Sequence, residues 1–459
     1  MAGLNENIIN GLAGIVGAEN VSTDETSLAA YAYDATRITG VPDVVVRPAN
    51  EAEISDILML ASKAHTPVVP RGAASGLTGG AVASRGGIVL SFERMAEILE
   101  VDRENRIARV QPGVVTGRFQ AEVEKLGLFY PPDPGSLAFC TIGGNVAENA
   151  GGMRAVKYGV TRDYVIGLRA VLPSGEVIKT GVRTAKGVVG YDLTRLLVGS
   201  EGTLAVITEI TLRLVPKPES VATMTALFAD AHTAGRAVAA VMASPVTPRC
   251  LEFLDGAALM AGSRRAGMDI PEGTGAFLLV ETDGGPDEAL RQAGIVRGLI
   301  EPLALEVRMA KDAAEAAGLW KLRRSVSQSL FTIAPDKINE DTVVPVSRVP
   351  DLLGEVALIS VKYGLKIICF GHAGDGNIHV NVMADMKDDA LRVRAHDAVR
   401  EVFGAVLRLG GTISGEHGVG LTKLEYIGME QTDTLMSLQK RLKAAFDPDG
   451  IMNPGKIFP

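Results

Sequence analysis

Helix-spaced apolar residues near the N-terminus lie between two short runs of β-branched residues. The helical spacing covers residues 51–65, and the flanking runs are Val44–Val46 and Pro67–Val69. This order predicts a β-α-β element. Further strand-like runs alternate with glycine-rich loops at residues 88–90, 107–110, 168–172 and 204–214. We therefore expect one α/β unit over residues 1–218.

The second half of the chain repeats a strand, helix, strand rhythm three times. The predicted elements cover residues 222–228, 231–242 and 250–254, then 276–281, 286–299 and 305–309, then 342–346, 349–363 and 366–370. Repeats of this kind predict a second, α+β domain with an antiparallel sheet at residues 219–420. A last helix is predicted at 434–446, within a C-terminal segment of residues 421–459.

Composition excludes several classes of protein. The chain has 47% hydrophobic and 22% charged residues, and a net charge of -8 gives no general attraction for nucleic acid or anionic membranes. Cys140, Cys250 and Cys369 are too far apart for a zinc ribbon or an iron–sulfur cluster. The first residues lack a targeting signature, and no uncharged apolar stretch reaches about 18 residues. We expect a cytoplasmic protein with no transmembrane segment, associated with a membrane only through a partner.

Three glycine-rich stretches fall within the first unit: residues 70–80, 134–152 and 199–204. Small consecutive residues let backbone N–H groups approach a pyrophosphate, and Arg71 adds positive charge. A single stretch of this kind is more typical of a tight turn. Three in one α/β unit favour a cofactor site, yet no G-x-G-x-x-G is present, so a Rossmann site has no support.

These stretches resemble the FAD-binding half of the vanillyl-alcohol oxidase and p-cresol methylhydroxylase superfamily. The likeness runs from Pro48 to Lys456, and Pro70–Gly72, Ile142–Asn145 and Gly199–Thr203 carry it most clearly. Within the superfamily the chain resembles the branch of FAD-linked D-2-hydroxyacid dehydrogenases, which contains D-lactate dehydrogenase, glycolate oxidase and D-2-hydroxyglutarate dehydrogenase. The resemblance implies a two-part FAD-binding domain, an α+β cap domain for the substrate, and a C-terminal segment that returns to the FAD domain.

The resemblance also assigns the residues that hold FAD. It implies that the pyrophosphate is held by Arg71, Gly72, Ala73, Ala74, Ser75, Gly76 and Ser136, and that the flavin and ribose are lined by Gly143, Gly144 and Asn149. In the third loop it implies Glu201 and Gly202. Ile207 would contact the adenine side, and Asn453 would lie over the isoalloxazine ring. Some members attach the flavin through a histidine in the first loop. Residues 71–80 contain no histidine, so we expect non-covalent FAD.

The segment Gly371–Asn381 carries the most informative chemistry of the second half. Asp375-Gly376 between β-branched segments predicts a two-residue hairpin turn, in which His372 faces His379 across two strands. Neighbouring cross-strand imidazoles can converge on one cation. Glu416, in a second glycine-flanked loop, completes a set of two His and one Glu with open positions, typical of a catalytic zinc or manganese site. The alternative interpretation of these residues is a buried polar cluster that binds no metal.

The family likeness gives each of these residues a role. His372, His379 and Glu416 match metal ligands, and His417 matches the catalytic base. Arg323 matches the clamp for the substrate carboxylate, although Arg324 beside it leaves the choice between the two open. Asn381 matches a substrate contact.

The resulting hypothesis is oxidation of a small D-2-hydroxy acid, with D-lactate favoured, by hydride transfer to the flavin N5. Electrons then pass to a separate acceptor: an iron–sulfur subunit, an electron-transfer flavoprotein, a quinone or a cytochrome. Lys337 is a candidate second clamp, which keeps D-2-hydroxyglutarate open as a substrate, and a glycolate oxidase FAD subunit is a further alternative. Two rivals from other classes are a non-catalytic flavin relay subunit and a metal hydrolase.

Overall fold

The computed structural model describes residues 4–458, so Met1–Gly3 and Pro459, which belong to segments assigned above, lie outside the described residues. The elements of the first part of the chain are α1 (Glu6–Val16), β1 (Val21–Ser22), α2 (Glu25–Ala30), β2 (Val44–Val46), α3 (Glu51–Lys63), β3 (Val68–Arg71), β4 (Ile88–Ser91), β5 (Ile98–Asp102), β6 (Ile107–Val110), α4 (Thr116–Glu124), β7 (Leu128–Phe129), α5 (Ile142–Glu148), α6 (Ala155–Tyr158), α7 (Thr161–Tyr164), β8 (Val165–Val171), β9 (Val177–Gly181), α8 (Leu193–Leu197), β10 (Val206–Arg213) and β11 (Val215–Pro216).

The remaining elements run from the second half of the chain to its end. They are β12 (Ser220–Phe228), α9 (Ala231–Met242), β13 (Cys250–Asp255), α10 (Gly256–Ala266), β14 (Ala276–Gly284), α11 (Pro286–Ile300), β15 (Glu306–Met309), α12 (Ala313–Ser329), β16 (Asp336–Val343), α13 (Val349–Tyr363), β17 (Lys366–His372), β18 (Asn377–Ala384), α14 (Asp389–Arg408), α15 (Ile427–Glu430) and α16 (Asp433–Phe446).

The chain forms two compact units. The first contains the described residues up to Gly151, residues Val160–Lys217 and everything from Glu416 onward; the second contains Gly152–Gly159 and Pro218–Gly415. The segment of Glu416 and His417 is therefore part of the first unit, although the sequence placed it in the second.

The first unit is built on two main sheets. In the four-stranded sheet, β2, β4 and β3 are parallel, and α3 connects β2 to β3 as the hydrophobic pattern predicted. One face of α3 buries Ile54, Ile57 and Leu58 against β2 and β4. The five-stranded sheet is antiparallel, in the order β5-β6-β10-β8-β9. Side chains of these sheets therefore form the core on which the glycine-rich loops rest.

The second unit is a seven-stranded antiparallel sheet in the order β15-β12-β14-β13-β17-β18-β16. Helices α10 and α12 pack on the face that carries Leu254, Phe277 and Phe370. The strand predicted at 342–346 proved to be β16, which begins at Asp336 and ends at Val343. The polar first residues of β16 were not predicted as strand. This strand lies at the edge of the sheet, and an edge strand needs no continuous run of apolar residues.

The predicted turn at Asp375-Gly376 is wrong in length and register. The loop between β17 and β18 has four residues, Ala373–Gly376, of which only Gly376 adopts a positive φ (82°). His372 therefore pairs with Asn377, and His379 pairs with Phe370. The two histidines are diagonal neighbours on one face of the sheet. No helix among the described residues is long and apolar enough to cross a membrane.

Candidate functional site

One buried carboxylate organises the candidate site of the second unit. Glu252, on β13, is fully buried, and its two oxygens bind different partners. Oε2 accepts a hydrogen bond from Nε of Arg323 on α12 (2.6 Å), and Oε1 lies 2.7 Å from Nδ1 of His372 at the end of β17. Burial would raise the pKa of Glu252, but its electrostatic and hydrogen-bond contacts with His372 and Arg323 outweigh that effect and hold the pKa below its usual value. Glu252 is therefore an ionised acceptor, and Nδ1 of His372 donates to it.

This hydrogen bond sets the orientation and tautomer of the His372 ring. When Nδ1 donates to a carboxylate, the lone pair that can ligate a metal lies on Nε2. The ring of His379 stands nearly perpendicular to that of His372, with 5.2 Å between the ring centroids. Two imidazoles at this separation can converge on one cation, despite the shifted hairpin register.

Polar residues of β16 and β18 surround His379. The carboxylate of Asp341 lies 3.7 Å from Nδ1 of His379 and accepts a hydrogen bond from Nδ2 of Asn377 (2.6 Å). Oδ1 of Asn377 is buried without a hydrogen-bond partner. Gly415 donates its amide N–H to Oδ2 of Asp341 (2.8 Å), and Glu416 is the next residue along the chain. The imidazoles of His372 and His379 and this unpartnered oxygen are donors that suit a divalent cation, and the role of Glu416 as a third ligand stays a prediction.

The two candidate arginine clamps differ in environment. Arg323 is buried on the same face as His372, and its guanidinium carbon lies 5.1 Å from the ring centroid of Phe370. Because Nε is bonded to Glu252, the two terminal nitrogens remain as donors for a carboxylate. Arg324 is exposed and lies over the ring of Trp320. The geometry favours Arg323.

Asn381 is fully buried on β18, the strand of His379. Its Nδ2 donates to the carbonyl oxygens of Ile368 (3.2 Å) and His379 (3.1 Å), whereas Oδ1 has no hydrogen-bond partner. Any substrate contact of Asn381 is therefore limited to accepting a hydrogen bond through Oδ1.

In the first unit, two glycine-rich loops meet at Gly72. A Cβ on Gly72 would lie only 2.4 Å from Oγ1 of Thr141, the N-cap of α5, and 3.7 Å from the amide nitrogen of Gly144. Gly143 donates its N–H to the Pro112 carbonyl (2.8 Å), and a Cβ there would lie 2.5 Å from that proline. The backbones of the two loops therefore lie close together.

The rest of the predicted FAD set lies around these loops. Gly76 borders open space, Ala74 has a positive φ of 50°, and Ala73, just before Ala74, is exposed. Ser75 is partly buried in the same loop, and Ser136 forms a turn whose carbonyl accepts the N–H groups of residues 139 and 140. A cradle of backbone with open space beside it fits a pyrophosphate.

Arg71 ends β3 and is buried. Its guanidinium donates to the carbonyl oxygens of Tyr33 (2.8 Å) and Ala81 (3.2 Å), and burial lowers its pKa. It lies 5.5 Å from the ring centroid of Tyr31. Arg71 thus holds the first glycine-rich loop in shape, and its pairing with a pyrophosphate stays a prediction.

Residues of the third loop and the C-terminus complete the FAD-side set. Asn149 caps α5 in the left-handed conformation, and its Oδ1 accepts the Arg162 N–H (2.8 Å). Asn453 is buried; its Nδ2 donates to the carbonyls of Gly80 (2.8 Å) and Glu201 (2.7 Å), while Oδ1 has no partner. An unpartnered buried acceptor between two glycine-rich loops fits a cofactor with N–H donors such as flavin. Gly202 turns at φ 67°, and Ile207 lies on β10.

Comparison with known proteins decides the family. Residues 42–181 match the FAD binding domain family, and residues 217–457 match the family of FAD linked oxidases, C-terminal domain. The chain belongs to the FAD-linked oxidases. The Bacillus subtilis glycolate oxidase subunit GlcD is 44% identical to this protein over 97% of the chain and 95% of that relative. The D-lactate dehydrogenase of Anaerostipes hadrus is 36% identical, over 93% and 92%.

A D-2-hydroxyglutarate dehydrogenase from Stutzerimonas stutzeri is also similar, at 34% identity over 98% of each chain. The resemblance found in the sequence is thereby confirmed, and the protein is a flavoprotein oxidoreductase that binds FAD. The structure of p-cresol methylhydroxylase with substrate bound has a TM-score of 0.79 at 17% identity, covering 98% of this chain and 96% of that one. The 4-ethylphenol oxidase of Gulosibacter chungangensis has a TM-score of 0.78 at 18% identity, covering 100% and 98%. The predicted fold class is confirmed.

The sequence prediction missed Glu252, Asp341 and Asn377. Glu252 is a single acid in the apolar run Cys250–Leu254, and its partner His372 is 120 residues away. Asn377 stood within the informative segment, but the assumed two-residue turn placed it opposite Gly374 rather than opposite His372. A charged residue inside an apolar strand is the only local signal that Glu252 offered.

Proposed function

We propose that this protein converts a short D-2-hydroxy acid, with D-lactate favoured, to the 2-oxo acid, using non-covalent FAD and a zinc or manganese ion. The observation that carries the proposal is the buried pairing of Glu252 with both Arg323 and His372, because it fixes a carboxylate-binding cation beside a metal-binding imidazole. When bound, FAD accepts the two electrons of the oxidation, and the metal ion acts as a Lewis acid on substrate oxygens.

Each residue then has a defined task. His372, His379 and Glu416 hold the cation, and the terminal nitrogens of Arg323 bind the substrate carboxylate so that the Cα–H bond has one orientation. His417 removes the hydroxyl proton as general base. The Cα hydrogen leaves with both electrons of its bond, so the carbon–oxygen bond becomes a carbonyl.

One observation supports non-covalent FAD: residues 71–80 contain no histidine to which the flavin could be attached. We expect acid denaturation of the purified protein to release FAD into the supernatant. Flavin that sediments with the polypeptide contradicts this assignment.

The relatives support a short substrate, since the most similar of those described is a glycolate oxidase subunit and another is a D-lactate dehydrogenase. One feature favours D-2-hydroxyglutarate as a second candidate. Nζ of Lys337 donates to Oγ of Ser327 (2.6 Å), which lies one helical turn after Arg323 on α12. The ammonium of Lys337, near Arg323, is suited to bind the second carboxylate of a dicarboxylic substrate.

We also propose a separate electron acceptor, an iron–sulfur subunit, an electron-transfer flavoprotein, a quinone or a cytochrome. The three cysteines are isolated buried thiols and offer no iron–sulfur site. Relatives named as subunits support such a partner. We place the protein in the cytoplasm, at a membrane only where its acceptor lies there.

A dye-linked assay tests the proposed function. Purified protein supplied with an artificial electron acceptor is compared on D-lactate, L-lactate, glycolate and D-2-hydroxyglutarate. We expect the highest kcat/KM for D-lactate or glycolate. A much higher value for D-2-hydroxyglutarate, lost in Lys337→Met, selects the second candidate. Flavin-containing protein that oxidises none of them supports the electron-relay rival, and protein without flavin supports the hydrolase rival.

A further inference from the structure

Hydrogen bonds from the first glycine-rich loop anchor the segment that follows Glu416. Oγ1 of Thr78 donates to the His417 carbonyl (3.1 Å), and the Thr78 carbonyl accepts the N–H of Leu421 (2.6 Å). Gly420 passes this carbonyl so closely that a Cβ there would lie 2.2 Å from it. The position of the His417 backbone therefore depends on contacts made within the first unit.

Glu201, from the third glycine-rich loop, makes the strongest of these contacts. Its buried carboxylate accepts the amide N–H groups of Val419 at Oε1 and Gly420 at Oε2, both at 2.8 Å. Its own amide donates to the Ala147 carbonyl at the end of α5 (2.8 Å), and its backbone is held at φ 51°. Charge-assisted hydrogen bonds to two successive amides fix both the position and the direction of this backbone segment.

A second buried carboxylate, Glu148, lies beside the first. A Cβ on Gly418, whose φ is 84°, would lie 2.7 Å from Oε2 of Glu148 and equally close to Oε1 of Glu201. Only glycine fits where the two side chains converge. The two carboxylates differ in their hydrogen-bond partners: Glu201 accepts hydrogen bonds from two backbone amides, whereas Oε2 of Glu148 has no hydrogen-bond partner.

The surroundings favour a single buried charge. Burial, and then the negative charges of Glu201 and Asp34, raise the pKa of Glu148 well above its usual range. Burial also raises the pKa of Glu201, but the two amide donors and the ammonium of Lys456 oppose that rise. Two ionised carboxylates at this distance repel each other in a medium that solvates neither, so one holds a proton.

We propose that Glu201 is a positioning residue that sets residues 417–420, and that Glu148 lies beside it as a neutral carboxylic acid. The inference rests on the proposed function only for the role of His417 as the base. In this proposal the carboxylate of Glu201 acts through the backbone on either side of Gly418, separately from the FAD contact that the resemblance implies for the third loop.

The two glutamines Glu201→Gln and Glu148→Gln form a matched pair. Glutamine at 201 keeps one acceptor and points an N–H₂ donor at the other amide, so one of the two bonds is lost. Glutamine at 148 has the shape and donor capacity of the neutral acid, so nothing changes there. The measurement is amide hydrogen exchange of peptides covering residues 417–421 in FAD-loaded protein. It reports loop order whether or not the protein oxidises a hydroxy acid.

We expect exchange in this segment to speed up by about 10- to 100-fold in Glu201→Gln, the factor for losing one charged hydrogen bond, and to stay at the wild-type rate in Glu148→Gln. With D-lactate, kcat per bound FAD should fall and the pH profile should change in Glu201→Gln, while KM stays near wild type. A merely structural glutamate would not separate kcat from KM in this way.

Glu201→Asp covers the case in which Glu201→Gln fails to fold. Aspartate keeps the buried charge but withdraws both oxygens, so the positioning role predicts faster exchange in this variant too. Unchanged exchange in every Glu201 variant overturns the proposal, as does a Glu148→Gln protein perturbed as strongly as Glu201→Gln. If wild-type protein oxidises no hydroxy acid but the exchange pattern holds, the proposed function fails and the positioning role stands.

Discussion

Replacing Glu252 with glutamine tests the arrangement on which the candidate metal site depends. The carboxylate binds Arg323 at 2.6 Å through one oxygen and His372 at 2.7 Å through the other. Glutamine has one acceptor and one donor end, so either arginine or histidine faces an N–H₂ group. Arg323, only 7% exposed, then loses its counter-charge.

Two effects of different size should follow. Removing one partner of a buried ion pair costs about 3–5 kcal/mol of folding free energy. Loss of the carboxylate that orients a metal-ligating histidine weakens metal affinity by about 10- to 100-fold. Urea unfolding of metal-free protein measures the first effect, and competition with a chelator measures the second.

Glu281→Gln is the matched control. Glu281 is buried on the neighbouring strand β14 and accepts hydrogen bonds from Trp320 (2.6 Å) and Thr223 (2.9 Å), but not from His372. We expect this variant to lose stability and keep wild-type metal affinity. Wild-type metal affinity in Glu252→Gln, or an equal loss in both variants, would refute the reasoning.

Three further predictions concern single side chains. Gly151→Ala should weaken metal binding by about 10-fold with little loss of stability, because the new Cβ would lie 2.8 Å from Oε2 of Glu416. Competition with a chelator measures the metal affinity, and an unchanged affinity removes Glu416 from the ligand set. Arg323→Lys should raise KM for D-lactate by about 10-fold or more, whereas Arg324→Lys should leave KM unchanged. A raised KM only in Arg324→Lys would assign the carboxylate clamp to Arg324. Burial raises the pKa of Asp255 to about 6, so the ionised form is penalised in the folded state, and the free energy of unfolding should fall by about 2 kcal/mol as pH rises from 3.8 to about 6. Asp255→Asn should lack this slope in urea unfolding, and an identical slope contradicts the assignment.

Elements with strong local periodicity were predicted well from the sequence. Helices α9 (Ala231–Met242) and α13 (Val349–Tyr363) have the predicted bounds. Each combines an apolar stripe with a clear start, an N-cap Asp230 for α9 and Pro350 in the first turn of α13. Such signals lie within one element and need no tertiary information.

The hairpin register was not predictable in this way, because contacts from outside the hairpin determine it. A Cβ on Gly376 would lie 2.0 Å from the carbonyl of Val344, which follows β16, so the loop is shaped by a neighbouring segment. A two-residue Asp-Gly turn satisfies local turn chemistry but not this packing. Glu252 and Asp341 were missed for a similar reason: their roles arise only when strands remote in sequence pair in one sheet.

Anaerobic reduction of the bound flavin tests the central claim most directly. D-lactate is mixed with FAD-loaded protein that has been stripped of metal, and with the same protein after zinc or manganese is restored, while the flavin absorbance is followed. The account predicts rapid bleaching only in the metal-restored protein, and only with the D enantiomer. Bleaching at the full rate in protein without detectable divalent metal would contradict it.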